Sequence, residues 1–361
     1  MRSAFGKRLE VTIYGESHGD RIGTVIKGFP AGFAPDMDRI YAFMERRAPG
    51  RDAFSTSRRE PDIPKVASGI INGLTDGRPL EAYIENTNQH SSDYDKLRYT
   101  PRPSHADLPA RMKYGDELDL RGGGHFSGRL TAPLCFAGAL CLQFLAARGI
   151  TVGGHIYSIA GVNDRPFDPV KVSKDDFDEL LKRPFPVLDT KAGKQMQLEI
   201  LGARSKLDSV GGVIEVAVLG LPMGLGTPLY GGIESMLAAN LFGVPAVKGV
   251  EFGSGFSAAL MKGSENNDPY CVTEDGKIRT LTNNAGGVLG AITTGMPLIV
   301  RTAIKPTPSI ALPQQTVDLR SMTETELTIT GRHDPCIVPR AVPVIEAMTA
   351  ITVTDMILSE V

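Results

Sequence analysis

Three short segments of the chain gather side chains that can move protons or hold anions. The first, Gly15-Glu16-Ser17-His18-Gly19, directly follows Leu9 to Tyr14, a short β-branched run predicted to be a strand. The second is Arg102-Pro103-Ser104-His105-Ala106-Asp107. Pro103 stiffens the approach, Asp107 is placed to cap a helix, and His105 falls at that helix entrance, where the dipole attracts anions. The third runs from Gly331 to Arg340 and brings Arg332 and Arg340 together with His333 and Asp334. Arginine forks hold phosphate or carboxylate through paired hydrogen bonds, and they keep a neighbouring carboxylate such as Asp334 ionised. Imidazoles titrate near neutrality, so His18 and His105 are the candidates for acid–base work.

Two further stretches supply cations. Arg46, Arg47, Arg51, Arg58 and Arg59 cluster around the Pro49-Gly50 turn, with Asp52 the acid among them. Lys305-Pro306-Thr307-Pro308-Ser309 offers an ammonium and two hydroxyls, the inventory a phosphate tail requires. Each pattern alone also describes a solvated face, a turn or an ion-pair cluster. Together they describe a pocket for a ligand with several negative charges. The whole chain carries a formal net charge of −2, so such a pocket must come from local clustering, and nothing suggests a nucleic-acid or membrane partner.

A rival reading comes from Gly15-Glu16-Ser17-His18-Gly19, which also fits the G-x-S-x-G nucleophile elbow of serine hydrolases, with Arg121 to His125 as a glycine-rich oxyanion run. The elbow needs a helix directly after the serine, whereas Asp20 onward is rich in glycine and β-branched residues. The glycine run also lies after the nucleophile rather than before it. A fluorophosphonate probe that labelled Ser17 would favour this alternative.

Positioning these residues falls to a chain of 361 residues without a Ser/Gly or Pro-rich linker or a fixed repeat, which points to a single domain over 1–361. A second strand is expected around Gly23 to Gly28. Asp36 then caps a helix that carries Ile40, Phe43, Met44 and Arg47 and stops at Pro49-Gly50. Leu130 to Arg148, apolar on most faces and closed by Gly149, is expected to lie in the middle of the core. Strands are expected over Thr151 to Ala160, Gly212 to Leu219 and Pro297 to Ile304, and helices over Lys174 to Lys182, Lys191 to Lys206 and Gly232 to Phe242. Gly263 to Asn284 reads as a polar loop, and Pro339 to Leu358 as a long amphipathic helix. Strands and helices do not alternate in a βαβ rhythm, so the fold class is α+β.

The N-terminal residues lack the apolar run of a signal peptide, and no apolar stretch of about 20 residues is seen. The longest, Leu130 to Ile150, is interrupted by Pro133, Gln143 and Arg148. Cys135, Cys141, Cys271 and Cys336 form no CxxC pair, so neither a metal site nor a disulfide framework is expected, and a reducing cytoplasm fits best.

Taken in order, GESHG, RPSHAD, RGGGHFSGR, NNAGGVLGAITTG, KPTPSI and GRHDPCIVPRAVPVIEAM resemble the motif set of the chorismate synthases, from about Gly6 to Ile357. The resemblance implies a β-α-β sandwich with central helices between antiparallel sheets, assembled as a homotetramer. It implies an anti 1,4-elimination of phosphate and the C6 hydrogen from 5-enolpyruvylshikimate 3-phosphate, giving chorismate with no net redox change yet requiring reduced FMN. By motif, His18 becomes the acid that helps phosphate leave and His105 the group that protonates the reduced flavin. Asp334 becomes the acid beside flavin N5, with Ser17 and Ser127 supporting proton traffic. Arg47, Arg51, Arg102, Arg129 and Arg332 become substrate-anion partners. Flavin contacts are implied for His125, Phe126, Ser127, Ala246, Gly290, Lys305, Pro306, Thr307, Pro308, Ser309 and Arg332.

The chain departs from many members of the family at several of these places. His125 replaces an arginine, Ala48 and Ala53 stand where arginine is common, with Arg51 a substitute, and Pro245 replaces an asparagine. Some members reduce their own flavin with NADPH. No G-x-G-x-x-G fingerprint opening a helix is present here, so reduced FMN is expected from an external flavin reductase or another reductant. A scaffold that binds both ligands without turning them over is the non-enzymatic alternative, and the retained His18, His105 and Asp334 speak against it.

Overall fold

The computed structural model describes residues 1–50, 62–86, 98–274, 276–329 and 334–360. Five antiparallel strands form an N-terminal sheet: β1 (Arg2–Phe5), β2 (Glu10–Gly15), β3 (Arg21–Lys27), β4 (Lys65–Ser68) and β5 (Leu80–Glu85), in the order β1-β2-β3-β5-β4. A second antiparallel sheet contains β6 (Thr151–Ile159), β7 (Val162–Asn163), β8 (Gly212–Leu219), β9 (Val247–Phe252) and β10 (Leu298–Ile304), in the order β9-β10-β8-β6-β7.

Eight helices accompany the sheets among the described residues: α1 (Met37–Arg47), α2 (Asp107–Tyr114), α3 (Thr131–Ala146), α4 (Lys174–Leu181), α5 (Thr190–Ser205), α6 (Ile233–Phe242), α7 (Gly263–Asn266) and α8 (Val338–Ser359). Helix α3 lies on the N-terminal sheet against β2, β3 and β5, α8 lies on the second sheet against β6 and β8, and the two helices pack on each other. The architecture is therefore the expected α+β sandwich with helices between antiparallel sheets.

Local chemistry explains most boundaries. Asp36 accepts from the Arg39 amide at 3.1 Å and caps α1. Gly149 closes α3 at φ +76°, a conformation only glycine adopts freely, while the Ile150 amide bonds back to the Leu145 carbonyl. At the centre, Gly138 of α3 faces Ala347 of α8 so closely that an added Cβ would meet both Cβ and Cα of Ala347.

Three expectations need correction. Helix α8 is not amphipathic: from Val342 to Met356 it is buried on every face, because a sheet, α3 and α6 cover it. Its two buried carboxylates have internal partners. Glu346 binds Arg46 at 2.6 Å and 3.0 Å and the Gly154 amide at 2.9 Å, and Asp355 accepts from the amides of Lys7, Arg8 and Leu9 at 2.9, 2.7 and 2.8 Å. The segment Gly263 to Asn284 is not a plain loop but holds α7 and a hairpin of Tyr270–Val272 with Ile278–Thr280. Asp268 organises it by accepting from Thr282 Oγ1 and from the Asn284 and Ala285 amides. Finally, two segments do reach the length and hydropathy of a membrane span, Gly128–Ala146 and Val338–Ser359, and both are 83% buried inside the fold. They are its core helices.

Candidate functional site

At one end of the α3–α8 layer the chain leaves a cavity of ≈ 860 Å³. Its lining comes from β1, the turn after β2, the end of α1, residues 102–106 and 122–134, the connection from α6 into β9, the turn after β10, and the start of α8. This size is in the range of small-molecule sites, and the wall is mixed: Leu134, Ile337, Val344 and Met348 face a set of cations and imidazoles.

His18 and Ser17 are buried in the turn that ends β2. Asn86 pins that turn by donating to the carbonyls of Glu16 at 3.2 Å and Gly19 at 2.7 Å, and the Ser17 amide bonds to the Gly124 carbonyl at 3.1 Å. The chain then enters β3 rather than a helix. The strand-to-helix geometry of a nucleophile elbow is absent, and the serine-hydrolase reading has no support.

The glycines 122 to 124 have φ of +58°, +89° and +53°, so their backbone passes tightly beside the histidines. A Cβ on Gly122 would stand 2.5 Å from His18 Nδ1 and 2.7 Å from Ser17 Oγ, and one on Gly123 would stand 3.3 Å from His105 Nε2. His105 lies just before α2. Asp107 does not cap that helix, whose N-cap is Ala106 without a side-chain bond. Instead Asp107 accepts from Arg102 Nε at 2.7 Å and Nη2 at 2.8 Å, and lies 2.7 Å from His105 Nδ1. Burial pushes the Asp107 carboxyl up, but the hydrogen bonds and charges of Arg102 and His105 outweigh it and hold it well below the usual carboxylate range.

The cations fall into three groups. Arg47 and Arg129 both pair with the buried Asp62, whose carboxyl is raised by burial but lowered further by the two guanidiniums. Arg47 is fixed further by bonds to Thr131 Oγ1 at 3.1 Å and the Gly128 carbonyl at 3.0 Å. Arg340 pairs with Asp334 and donates to the Arg47 carbonyl at 3.0 Å, which ties the start of α8 to the end of α1. Elsewhere in the lining, Lys305 donates to the Ser104 carbonyl, and burial together with the charge of Lys248 pulls its ammonium below the usual value. Beside it, Ala246 holds a strained φ of +73° and its carbonyl accepts from the Lys305 amide at 3.0 Å. Arg102 reaches Ser309 Oγ at 3.2 Å.

Of the residues expected from the sequence, Ser17, His18, Arg47, Arg102, His105, His125, Phe126, Ser127, Arg129, Ala246, Lys305, Thr307, Pro308, Ser309 and Asp334 all line this one cavity. Pro306 is exposed on the outside of its turn, and Gly290 lies in the hairpin of Val288–Leu289 with Ile292–Thr293; neither lines it. Arg51 and Arg332, like Ala53, lie outside the described residues. His125 is held between Ser3 Oγ at 2.8 Å and the Gly15 carbonyl at 2.8 Å, so it fastens β1 along the cavity rim.

Sequence reasoning missed Lys248, Asp62 and the pairing role of Asp107. Asp62 follows a Pro and precedes Ile-Pro, which reads as a turn, and its partners lie far away in sequence. Lys248 is a lone lysine at a strand start and carries no local signal.

The chain matches the sequence model of the chorismate synthase family over residues 9–358. It is 46% identical over 358 residues to a chorismate synthase of Dehalococcoides mccartyi, covering 99% of this chain and 97% of the relative. It is 48% identical over 354 residues to that of Thermococcus gammatolerans, covering 98% and 97%. A crystal structure of chorismate synthase superposes with a TM-score of 0.78 at 28% identity, covering 99% of this chain and 93% of the other.

Proposed function

The chain belongs to the chorismate synthase family, a family of lyases in aromatic amino acid biosynthesis, and from that premise we propose how its cavity performs the reaction. The substrate is 5-enolpyruvylshikimate 3-phosphate, with two carboxylates and a phosphate. Phosphate and the C6 hydrogen leave in an anti 1,4-elimination, and chorismate is released. The observation that carries the reading is that Arg47, Arg102, Arg129, His18, His105 and Asp334, drawn from segments far apart in sequence, line one cavity.

The residues present suit reduced FMN as the cofactor. Thr307 Oγ1 is buried without a hydrogen-bond partner among the described residues, beside a turn whose Lys305 is repelled by Lys248, so an anionic tail there would satisfy both. The apolar wall of Leu134, Ile337, Val344 and Met348 suits a flat ring. Lys305, Thr307, Pro308, Ser309, Ala246, His125, Phe126 and Ser127 would hold it, with Arg332 as a further contact implied by the motifs, whereas Pro306 and Gly290 stand outside the cavity lining. When bound, reduced FMN supplies electron density as phosphate departs and recovers it as the hydrogen leaves.

The protein's own groups handle binding and protons. Arg47 and Arg129, held in place by Asp62, take substrate anions together with Arg102, Arg51 and Arg332. His18 gives its proton to the departing phosphate oxygen. His105 moves a proton at Nε2, Asp334 would serve as the acid group beside the bound flavin, and the hydroxyls of Ser17 and Ser127 would relay protons between these groups. The apolar wall of Leu134, Ile337, Val344 and Met348 would keep water from bound ligands and strengthen each of these interactions.

Reduced FMN is supplied by an external flavin reductase or another reductant. Aerobic turnover by the purified protein with FMN and NADPH alone would contradict this. The assembly is a homotetramer, supported by the exposure of Leu229, Tyr230, Phe256 and Leu260 at 74, 91, 84 and 90%, and light scattering tests it. A reducing cytoplasm suits the free thiols, of which buried Cys135, Cys141 and Cys336 are pushed up to about 12 by burial. The activity is tested anaerobically with photoreduced FMN. Chorismate and phosphate are expected in equal amounts without net consumption of reduced flavin, and phosphate release without chorismate would overturn the reading.

A further inference from the structure

Acid–base work by His105 needs one defined nitrogen in the cavity, and the structure fixes the other one. His105 Nδ1 lies 2.7 Å from Asp107 Oδ1 and 3.2 Å from Arg102 Nη2. A carboxylate only accepts and a guanidinium only donates, so the two contacts demand opposite states of Nδ1. The shorter contact is to the carboxylate, and Arg102 Nη2 already donates to Asp107 Oδ1 at 2.8 Å, so Nδ1 carries the proton. Asp107 cannot swing away. Arg102 holds its Oδ2 through Nε at 2.7 Å and through the backbone amide at 3.1 Å, and the residue is only 4% exposed. The opposite edge of the ring, with Nε2, faces Gly123 and the cavity.

We infer that Asp107 is the positioning residue of His105, holding the imidazole as the Nδ1–H tautomer so that Nε2 takes and gives the proton inside the cavity. Arg102 belongs to the same device, because its fork orients the carboxylate. This assignment rests on the proposed acid–base role of His105. A neutral His105 then offers its Nε2 lone pair to the cavity, and the imidazolium that forms is stabilised by the carboxylate behind it. The groups facing the ring are Asp107 and Arg102 on the Nδ1 side and Gly123 on the Nε2 side, with Lys305 bound to the adjacent Ser104 carbonyl.

The test compares the full-length protein with Asp107→Asn, using nitrogen-15 NMR of the His105 ring without ligands, assigned with His105→Gln. The wild-type ring is expected as Nδ1–H when neutral, whereas in Asp107→Asn an amide replaces the carboxylate and the tautomer preference is lost. An Nε2–H ring in the wild type would overturn the inference without any variant, even if Asp107→Asn failed to fold. Identical tautomer populations in both proteins would overturn it too. Turnover with photoreduced FMN is expected to fall by about 10²-fold or more in Asp107→Asn with a shifted pH profile, as for other acid–base assemblies that lose their orienting carboxylate. If the wild type formed no chorismate, the proposed reaction would fail while the ring spectra still decided the role of Asp107.

Discussion

His18 and His105 rest on neighbouring residues of a single glycine turn. Gly122 backs the His18 ring and Gly123 backs the His105 ring, so the spacing between the two imidazoles is set by that turn, 87 residues of sequence notwithstanding. The triple glycine is thus a spacer between proton-transfer groups: its positive φ values would strain any side-chain residue, and an added Cβ on Gly122 or Gly124 would meet atoms closer than 3.0 Å.

Replacing Gly122 by alanine should displace His18 and Ser17. The strained backbone costs about 1–3 kcal/mol, and a misplaced acid lowers turnover by about 10²-fold. Gly202→Ala, in α5 and away from the cavity, is the control, because nothing lies within 4 Å of its added Cβ. Steady-state rates and melting temperatures of the two variants check this. Equal activity in both would separate the turn from the chemistry.

Asp62 should matter for binding as much as for folding. With Asp62→Asn, Arg47 and Arg129 lose their shared counter-charge, and breaking such a buried pair costs about 3–5 kcal/mol. KM for the enolpyruvyl substrate should rise more than kcat falls. Because the Asp62 carboxyl is depressed in the folded state, its contribution is full above the ordinary carboxylate value and is lost as pH falls through the depressed one. Denaturant titrations of both proteins should therefore converge only at acid pH.

A second charged cluster lies outside the cavity and should affect stability alone. His155 is fully buried, with Nδ1 3.0 Å from Asp164 and Nε2 2.9 Å from Glu215, and Arg301 binds Glu215 at 2.8 Å. Burial pulls the imidazole down, but bonds to the two carboxylates outweigh it and raise it, while both carboxyls are lowered despite burial. The histidine contribution is complete below the ordinary imidazole value and fades as pH rises through the raised one. The carboxylate contributions are complete above their ordinary values and fade as pH falls through the lowered ones. Stability from the cluster should therefore peak between the ordinary carboxylate and imidazole values. His155→Gln should cost about 3–5 kcal/mol with kcat unchanged. A normal melting temperature would contradict this.

Gly138→Val tests the core. The added side chain would drive α3 from α8 and cost at least about 1–3 kcal/mol as over-packing. Calorimetry reads the loss, and a wild-type melting temperature would show that the two helices have more room than the geometry gives them.

Much of this was legible in the sequence. Hydrophobic run lengths, Asp36 and Gly149 marked the elements, since caps and periodicity are local. The motif histidines and arginines pointed to one anion-binding cavity. What was not legible depends on partners remote in sequence. Helix α8 looked amphipathic because Glu346 and Asp355 are charged, and only the fold supplies Arg46 and the Lys7–Leu9 amides that pair with them. Asp107 looked like a helix cap because its position fits one. Arg102 and His105, brought back on the same turn, compete for the carboxylate more strongly than the helix amides do. Asp62 gave no signal at all, since it gains meaning only where α1 and the start of α3 meet.

The central claim is that imidazoles, arginines and Asp334 share one cavity with both ligands. A crystal structure with oxidised FMN and 5-enolpyruvylshikimate 3-phosphate, in which turnover cannot proceed, tests it most directly. The account predicts both molecules inside this cavity, the phosphate of the substrate near His18 and the flavin ring between Asp334 and His105. A flavin or a substrate bound elsewhere, with the cavity left to solvent, would contradict it.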